Sequence, residues 1–107
     1  ANCAHFTADM VGAATGRKIE IPHTTDAREA AEWLRSQGVQ SLYHYLLKLF
    51  GQPVAPLQAK RGYVLYRRAG LEGGAMGVCD RDGLFMTDRG PHRVPLGNCH
   101  WAFKTHA

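Results

Sequence analysis

Apolar residues recur at helical spacing through the first half of the chain, and this pattern predicts three consecutive helices. Residues that favour helix caps, and glycines that favour helix ends, set their limits. The predicted helices run from Cys3 to Gly16, from about Asp26 to Gly38, and from Ser41 to Gly51. The residues expected to face the core are Cys3, Phe6, Met10 and Ala14 in the first helix, Ala27, Ala30, Ala31 and Leu34 in the second, and Leu42, Leu46, Leu49 and Phe50 in the third.

The pattern changes after residue 51, where a stretch with two prolines and no helical period predicts a connector over residues 52–61. Short runs typical of strands follow, separated by glycine-containing turns, and Asp82-Gly83 is the predicted tight hairpin. The expected strands cover residues 62–67, 75–80, 83–88, 92–96 and 99–105.

Helices followed by strands predict an α+β domain in which the N-terminal helices pack on one face of a small antiparallel sheet. A chain of 107 residues is long enough for one core, so residues 1–107 are expected to form a single domain. Its helical half spans 1–51, and a β-meander spans 62–105.

The composition excludes several classes of protein. Hydrophobic residues make up 45% and charged residues 21%, as in ordinary globular domains, and no apolar run is long enough to cross a membrane. The net charge of +4 comes from dispersed basic residues without aromatic interleaving, so a solvated surface is expected rather than a nucleic-acid site. Three unpaired cysteines indicate folding in a reducing compartment and no disulfide framework.

The candidate chemistry starts at Cys3, because the first turn of a helix stabilises a thiolate. The same residue also fits a helix core face, as a small buried hydrophobe. A nucleophile needs a base, and His92 and His100 are the candidates in the sheet half. Cysteine and histidine spacings typical of metal sites are absent, so neither a metal nor another cofactor is expected.

The order of four segments resembles the small NlpC-type papain-like cysteine peptidases, in the compact form found among tail proteins of long-tailed phages and prophages. These segments are NCAHFTADMVGAATG, RGYVLYR, AMGVCDRDGLFMTD and HRVPLGNCHWAF. The resemblance implies a papain-like fold in which Cys3 occupies the nucleophile position and residues 62–65 match the first strand.

The match to the peptidases fails at the base, because Ala75 stands where the histidine of the family's second strand is expected. A third polar residue of the family falls near Thr87, which has no imidazole to orient. The resemblance therefore implies a degenerate domain that serves in the tail tip of the virion, made in the host cytoplasm. The alternative is a cysteine hydrolase that cleaves peptidoglycan stem peptides during genome entry, with His92 or His100 as a displaced base.

A tail-tip role implies docking to other tail-tip or hub proteins, with copies at three-fold or six-fold positions. Aromatic residues commonly anchor interfaces, although each of them also suits the domain's own core. The interface candidates are Trp33, Tyr43, Tyr45, Trp101 and Phe103.

Overall fold

Three helices and five strands follow one another in the order that the sequence predicts. The computed structural model describes residues 3–16, 18–19, 27–68, 75–87 and 89–106, without the side chains of residues 3–6, 27, 30 and 87. The predicted start of the second helix at Asp26 lies outside the described residues. The helices are α1 (Cys3–Thr15), α2 (Ala27–Ser36) and α3 (Leu42–Phe50), and the strands are β1 (Val64–Arg67), β2 (Ala75–Asp80), β3 (Asp82–Thr87), β4 (Gly90–Val94) and β5 (Trp101–Phe103).

Helix α3 begins and ends at the residues that the sequence predicts. The side chain of Ser41 accepts a hydrogen bond from the backbone N–H of His44, which satisfies a free donor of the first turn. Gly51 follows the last turn with a φ of 79°, a conformation that glycine adopts without steric cost. Local chemistry alone therefore fixes both ends of this helix.

The buried side of α1 agrees with the predicted one only in part: Met10 packs against the core as predicted, and the side chains of Cys3 and Phe6 lie outside the described ones. Thr7 and Val11 are fully buried, whereas Ala14 is exposed. Thr7 lies on the buried side because its Oγ1 donates a hydrogen bond to the carbonyl of Met76, 3.1 Å away. A pattern of apolar residues could not find this position, since the buried side chain is polar.

The predicted inner side of α2 is also partly wrong, because Ala31 is exposed. Trp33 and Leu34 are the half-buried residues that pack against the core. The Trp33 ring meets the ring of Tyr45 edge to face, with 4.9 Å between the centroids. Among the described side chains of this helix, Trp33 and Leu34 therefore supply the contact with the core, and Ala31 does not.

The five strands form one antiparallel sheet in the order β4-β3-β2-β1-β5. Strands β1 to β4 are the predicted meander, but β5 pairs with β1 rather than with β4. The prediction of a meander through residue 105 is therefore wrong for the last strand. Between β4 and β5 the chain passes through the 3₁₀ turn Leu96–Asn98 and returns to the opposite edge of the sheet.

The turn between β2 and β3 lies one residue earlier than predicted. Asp80 pairs directly with Asp82, so that Arg81 alone forms the tip, and its φ is 72°. Gly83 belongs to β3 instead, where it pairs with Cys79. A side chain at Gly83 would lie 2.9 Å from the Phe85 ring, so this glycine serves packing rather than the turn.

Each face of the sheet has its own core. The helix face packs against α1 and α3, and its sheet residues are Val64, Tyr66, Met76, Val78, Leu84 and Phe103. The outer face is covered by the connector and the turn before β5. Its residues in the sheet, or directly before β1, are Tyr63, Leu65, Ala75, Cys79, Phe85, Val94 and Ala102. The helices thus cover only one face, as the α+β prediction requires. No described helix is long and apolar enough to cross a membrane.

Candidate functional site

Cys3 is the first residue of α1, as the sequence predicts. The helix packs on β2 and β3. Thr7 bonds to Met76 at the start of β2, and Ala13 and Ala14 share a cavity with residues 78–80 at its end. The helix therefore runs in the same direction as β2, so the backbone of Cys3 lies at the Ala75 end of that strand.

Ala75 lies on the wrong face of the sheet for the role that the resemblance assigns to its position. It pairs with Arg67 and packs in the core of the outer face, away from α1. Because neighbouring strand residues point to opposite faces, Met76 is the residue that faces α1. The correspondence between Ala75 and a base aimed at the helix is therefore wrong in this register.

The sheet surface beneath α1 is apolar. Met76 and Val78 of β2 are buried in the core of the helix face, and Leu84 of β3 packs against that core. The Thr7 hydroxyl is buried there too, and the carbonyl of Met76 accepts its hydrogen bond. Among the described side chains of this surface there is no imidazole and no carboxylate. None of the described side chains of this surface could therefore accept a proton from a thiol at Cys3.

The two histidines considered as displaced bases lie elsewhere. His92 is exposed on the edge strand β4 and pairs with Phe85, which places it on the outer face. His100 is exposed before β5, and its Nδ1 accepts a hydrogen bond from the N–H of Arg68 at 3.0 Å. Strand β1 separates β5 from β2 in the sheet. Neither histidine is thus on the part of the helix face that α1 covers.

The two cysteines whose side chains are described, Cys79 and Cys99, are buried free thiols in the outer core. Burial raises the pKa of the Cys79 thiol, and the nearby charges of Asp80 and Asp82 raise it further. Burial also raises the pKa of Cys99, although Arg67 partly opposes this effect. A raised thiol pKa leaves less thiolate at neutral pH, so both cysteines are suited to packing rather than to nucleophilic chemistry. The described residues contain no cluster of three metal-ligating side chains.

The interface candidates separate into core and surface residues. Tyr45 and Phe103 are buried in the core of the helix face, so the prediction that they offer an interface is wrong. Trp33 and Tyr43 are half-buried against the same core, where the Tyr43 ring contacts those of Tyr66 and Phe103. Trp101 is 39% exposed and remains available to a partner. The burial of Phe103 follows from the pairing of β5 with β1 beneath α3.

A charged cluster surrounds the end of β2, where the sequence predicts only dispersed surface charge. Asp80 accepts from Arg61 at 3.1 Å and from Arg93 at 3.4 Å, and Arg93 also donates to Asp82 at 2.7 Å. The hydrogen bond to Asp82 raises the pKa of Arg93. Together with Arg81 these residues line a cavity of about 560 Å³. The only signal in the sequence is the alternation of Asp80, Arg81 and Asp82, since the other two arginines arrive from distant segments.

A larger cavity of about 710 Å³ adjoins this cluster and shares Arg61 and Asp80 with it. It lies between the C-terminal end of α1 and the end of β2, at the end of α1 opposite to Cys3. His106 borders it, and its Nε2 is hydrogen-bonded to the carbonyl of Arg61 at 2.8 Å. The apolar part of its wall is formed by Met10, Ala13, Ala14 and Val78.

A family model described as a domain of unknown function, DUF6950, matches residues 1–105, so the chain belongs to this family. No curated protein and no solved structure matches the chain.

Proposed function

We propose that this member of the DUF6950 family is a degenerate NlpC-like domain that acts as a binding and structural component of a phage tail tip, without peptidase activity. The apolar surface beneath α1 is the observation that carries the proposal. Cys3 is at the start of the helix, as the nucleophile of such a domain would be, and the described β2 residue that faces α1 nearest to this start is the apolar Met76.

Without a base, two steps of amide cleavage lack a group that carries the proton. A thiol with an ordinary pKa is only a few per cent thiolate near pH 7, so a base is needed to activate it. The leaving amine also needs a proton donor, and general acid–base catalysis is commonly worth about 10²–10⁴-fold. The helix N-terminus favours the thiolate but supplies no proton to the leaving group.

A cysteine hydrolase acting on peptidoglycan stem peptides is the second candidate. The position of Cys3 at the start of α1 favours it, because a helix N-terminus stabilises a thiolate. The placement of His92 on the outer face and of His100 beyond β1 argues against it. The binding role is therefore the better supported of the two.

Docking requires a surface that the domain's own core leaves open, and Trp101 meets this requirement. It is 39% exposed on β5, which is an edge strand of the sheet. Tryptophan is enriched among the residues that dominate binding energy at interfaces. The expected partners are neighbouring tail-tip or hub proteins, arranged around a rotational axis.

We expect the chain to be part of purified tail particles. Particles banded on a density gradient from an infected or induced culture are analysed by quantitative mass spectrometry, with a major tail protein as the internal reference. The chain should be enriched at a constant ratio to that reference, because a structural component has a fixed copy number. A chain that stays in the cell lysate and is absent from banded particles would end the tail-tip assignment.

We also expect the purified chain to leave peptidoglycan stem peptides uncleaved. Soluble muropeptides are incubated with the wild-type chain and with the Cys3→Ala variant, and the products are separated by liquid chromatography and mass spectrometry. Both samples should match the protein-free control, and phage carrying Cys3→Ala should keep its infectivity. Turnover by the wild type that Cys3→Ala abolishes would establish the hydrolase instead.

A further inference from the structure

We propose that the charged end of β2 and the adjoining cavity bind a peptide segment of a partner protein that carries an acidic side chain next to an apolar one. The acidic group binds Arg81, and the apolar side chain enters the 710 Å³ cavity beside α1. The inference deepens the proposed binding role and rests on that role, but not on the phage assignment. The site is distinct from the region of Cys3, since it lies at the other end of α1.

The backbone at the tip of the β2–β3 turn is the first observation. Arg81 has a φ of 72°, and it is the only described residue other than glycine with a positive φ. Glycine adopts this conformation without steric cost, whereas other residues rarely do. An arginine therefore occupies a position at which glycine would cost less conformational energy. Strained backbone positions of this kind cluster at binding sites.

The ion pairs around the tip are the second observation. Asp80 and Asp82 are engaged by Arg61 and Arg93. Arg81 is exposed, and no hydrogen bond or ion pair joins its side chain to the residues that the structure describes. The cluster thus has three cations for two anions. The unpaired guanidinium can bind an external carboxylate by donating two parallel hydrogen bonds to it. Exposed ion pairs add little to stability, so stability alone does not account for the cluster.

The adjoining cavity is the third observation, and it sets the second part of the ligand. Its volume of about 710 Å³ lies within the roughly 300–1,000 Å³ of ligand pockets. Small side chains open it, since Ala13 and Ala14 line it where longer residues would fill it. Met10 and Val78 give it apolar contacts. An apolar side chain of a ligand would therefore be buried there.

Electrostatics orients the ligand within the site. The C-terminal end of a helix carries partial negative charge, and the end of α1 borders the cavity. The cation that lines this cavity, Arg61, is already paired with Asp80, so a carboxylate is disfavoured inside the cavity and favoured at Arg81, which lines only the smaller cavity. This polarity requires a ligand whose acidic and apolar groups are separate but adjacent, as in neighbouring residues of a peptide.

The same charges disfavour a nucleic acid. A phosphate backbone brings a run of negative charges, and its binding depends on several cations acting together. Here Asp80 and Asp82 lie between the arginines, and the cluster has a surplus of only one cation. A single carboxylate neutralises this one surplus positive charge, whereas a polyanion is repelled by the two carboxylates.

The test is selection from a random heptapeptide display library on the immobilised chain. Selected peptides are expected to contain Asp or Glu within two residues of Leu, Ile, Met or Phe. A fluorescent copy of the most enriched peptide should bind the Arg81→Gly variant about tenfold or more weakly, as for the loss of a hydrogen-bonded charge pair. Higher salt should also weaken binding to the wild type.

Arg81→Gly separates binding from folding, because glycine relieves the positive φ and should leave the thermal unfolding midpoint no lower. Arg35→Ala is the matched control, since Arg35 is an exposed cation of α2 that lines neither cavity, and it should keep the affinity. Selected peptides without acidic residues, no selection at all, or equal binding to Arg81→Gly would overturn the proposal. So would Arg81-dependent binding of a 20-nucleotide single-stranded DNA with no peptide selected. Peptide selection does not depend on where the chain is found, so absence from tail particles leaves this result standing.

Discussion

Replacing Gly77 with alanine is expected to lower the free energy of unfolding by about 3 kcal/mol or more. A Cβ atom at this position would lie 2.6 Å from the backbone oxygen of Leu84 and 2.8 Å from the ring of Phe85. The oxygen belongs to the β3 backbone and the ring is buried in the outer core, so neither can move without disturbing the sheet. The Gly-to-Ala gain from a less flexible unfolded chain is only about 0.4–1 kcal/mol, so the steric clash dominates.

Gly97→Ala is the matched control, because a Cβ atom at Gly97 would have no heavy atom within 4 Å. Its φ is not positive, so alanine should be tolerated and the free energy of unfolding should change by no more than about 1 kcal/mol. Urea unfolding followed by circular dichroism measures both variants at equal protein concentration. Equal stabilities for the two variants would contradict the packing of Phe85 over Gly77.

Replacing each of the two aromatic residues of β5 with alanine is expected to lower the free energy of unfolding by very different amounts. Phe103→Ala should lower the free energy of unfolding by about 3–5 kcal/mol, because the ring is fully buried and contacts the rings of Tyr43 and Phe50. Trp101→Ala should lower it by about 1 kcal/mol, because the residue is 39% exposed and belongs to neither core.

Urea unfolding of the two β5 variants checks this difference, and the recovery of each variant in tail particles adds a functional readout. Trp101→Ala should fold normally and yet be depleted from particles if its ring anchors a partner. If the two variants lost equal amounts of unfolding free energy, Phe103 would not be a core residue and Trp101 a surface residue. Normal incorporation of Trp101→Ala would remove this tryptophan from the proposed docking surface.

The order and type of the elements could be predicted from the sequence because both follow from local patterns. Helical and strand periods extend over only a few residues, and they place all three helices and five strands in the right order. The limits of α3 at Ser41 and Gly51 follow from cap chemistry within a single turn. The start of α1 at Cys3 was also predicted correctly.

The face of the sheet to which each strand residue points could not be predicted, because it depends on pairing between distant segments. A shift of one residue in register moves a side chain to the other face of a sheet. Ala75 therefore looked like the position of a lost base, whereas the register of β2 turns it away from α1 and presents Met76 instead. The burial of Thr7 also depends on a partner 69 residues away.

The sequence by itself determined an α+β domain with helices before strands and a cysteine at the start of the first helix. Only the tertiary structure decided that this helix rests on an apolar surface, and that Arg61, Arg81 and Arg93 meet around the end of β2. The physical reason is the range of the forces involved. Secondary structure depends on neighbours along the chain, whereas a site depends on strand register and on turns that bring remote residues within hydrogen-bonding distance.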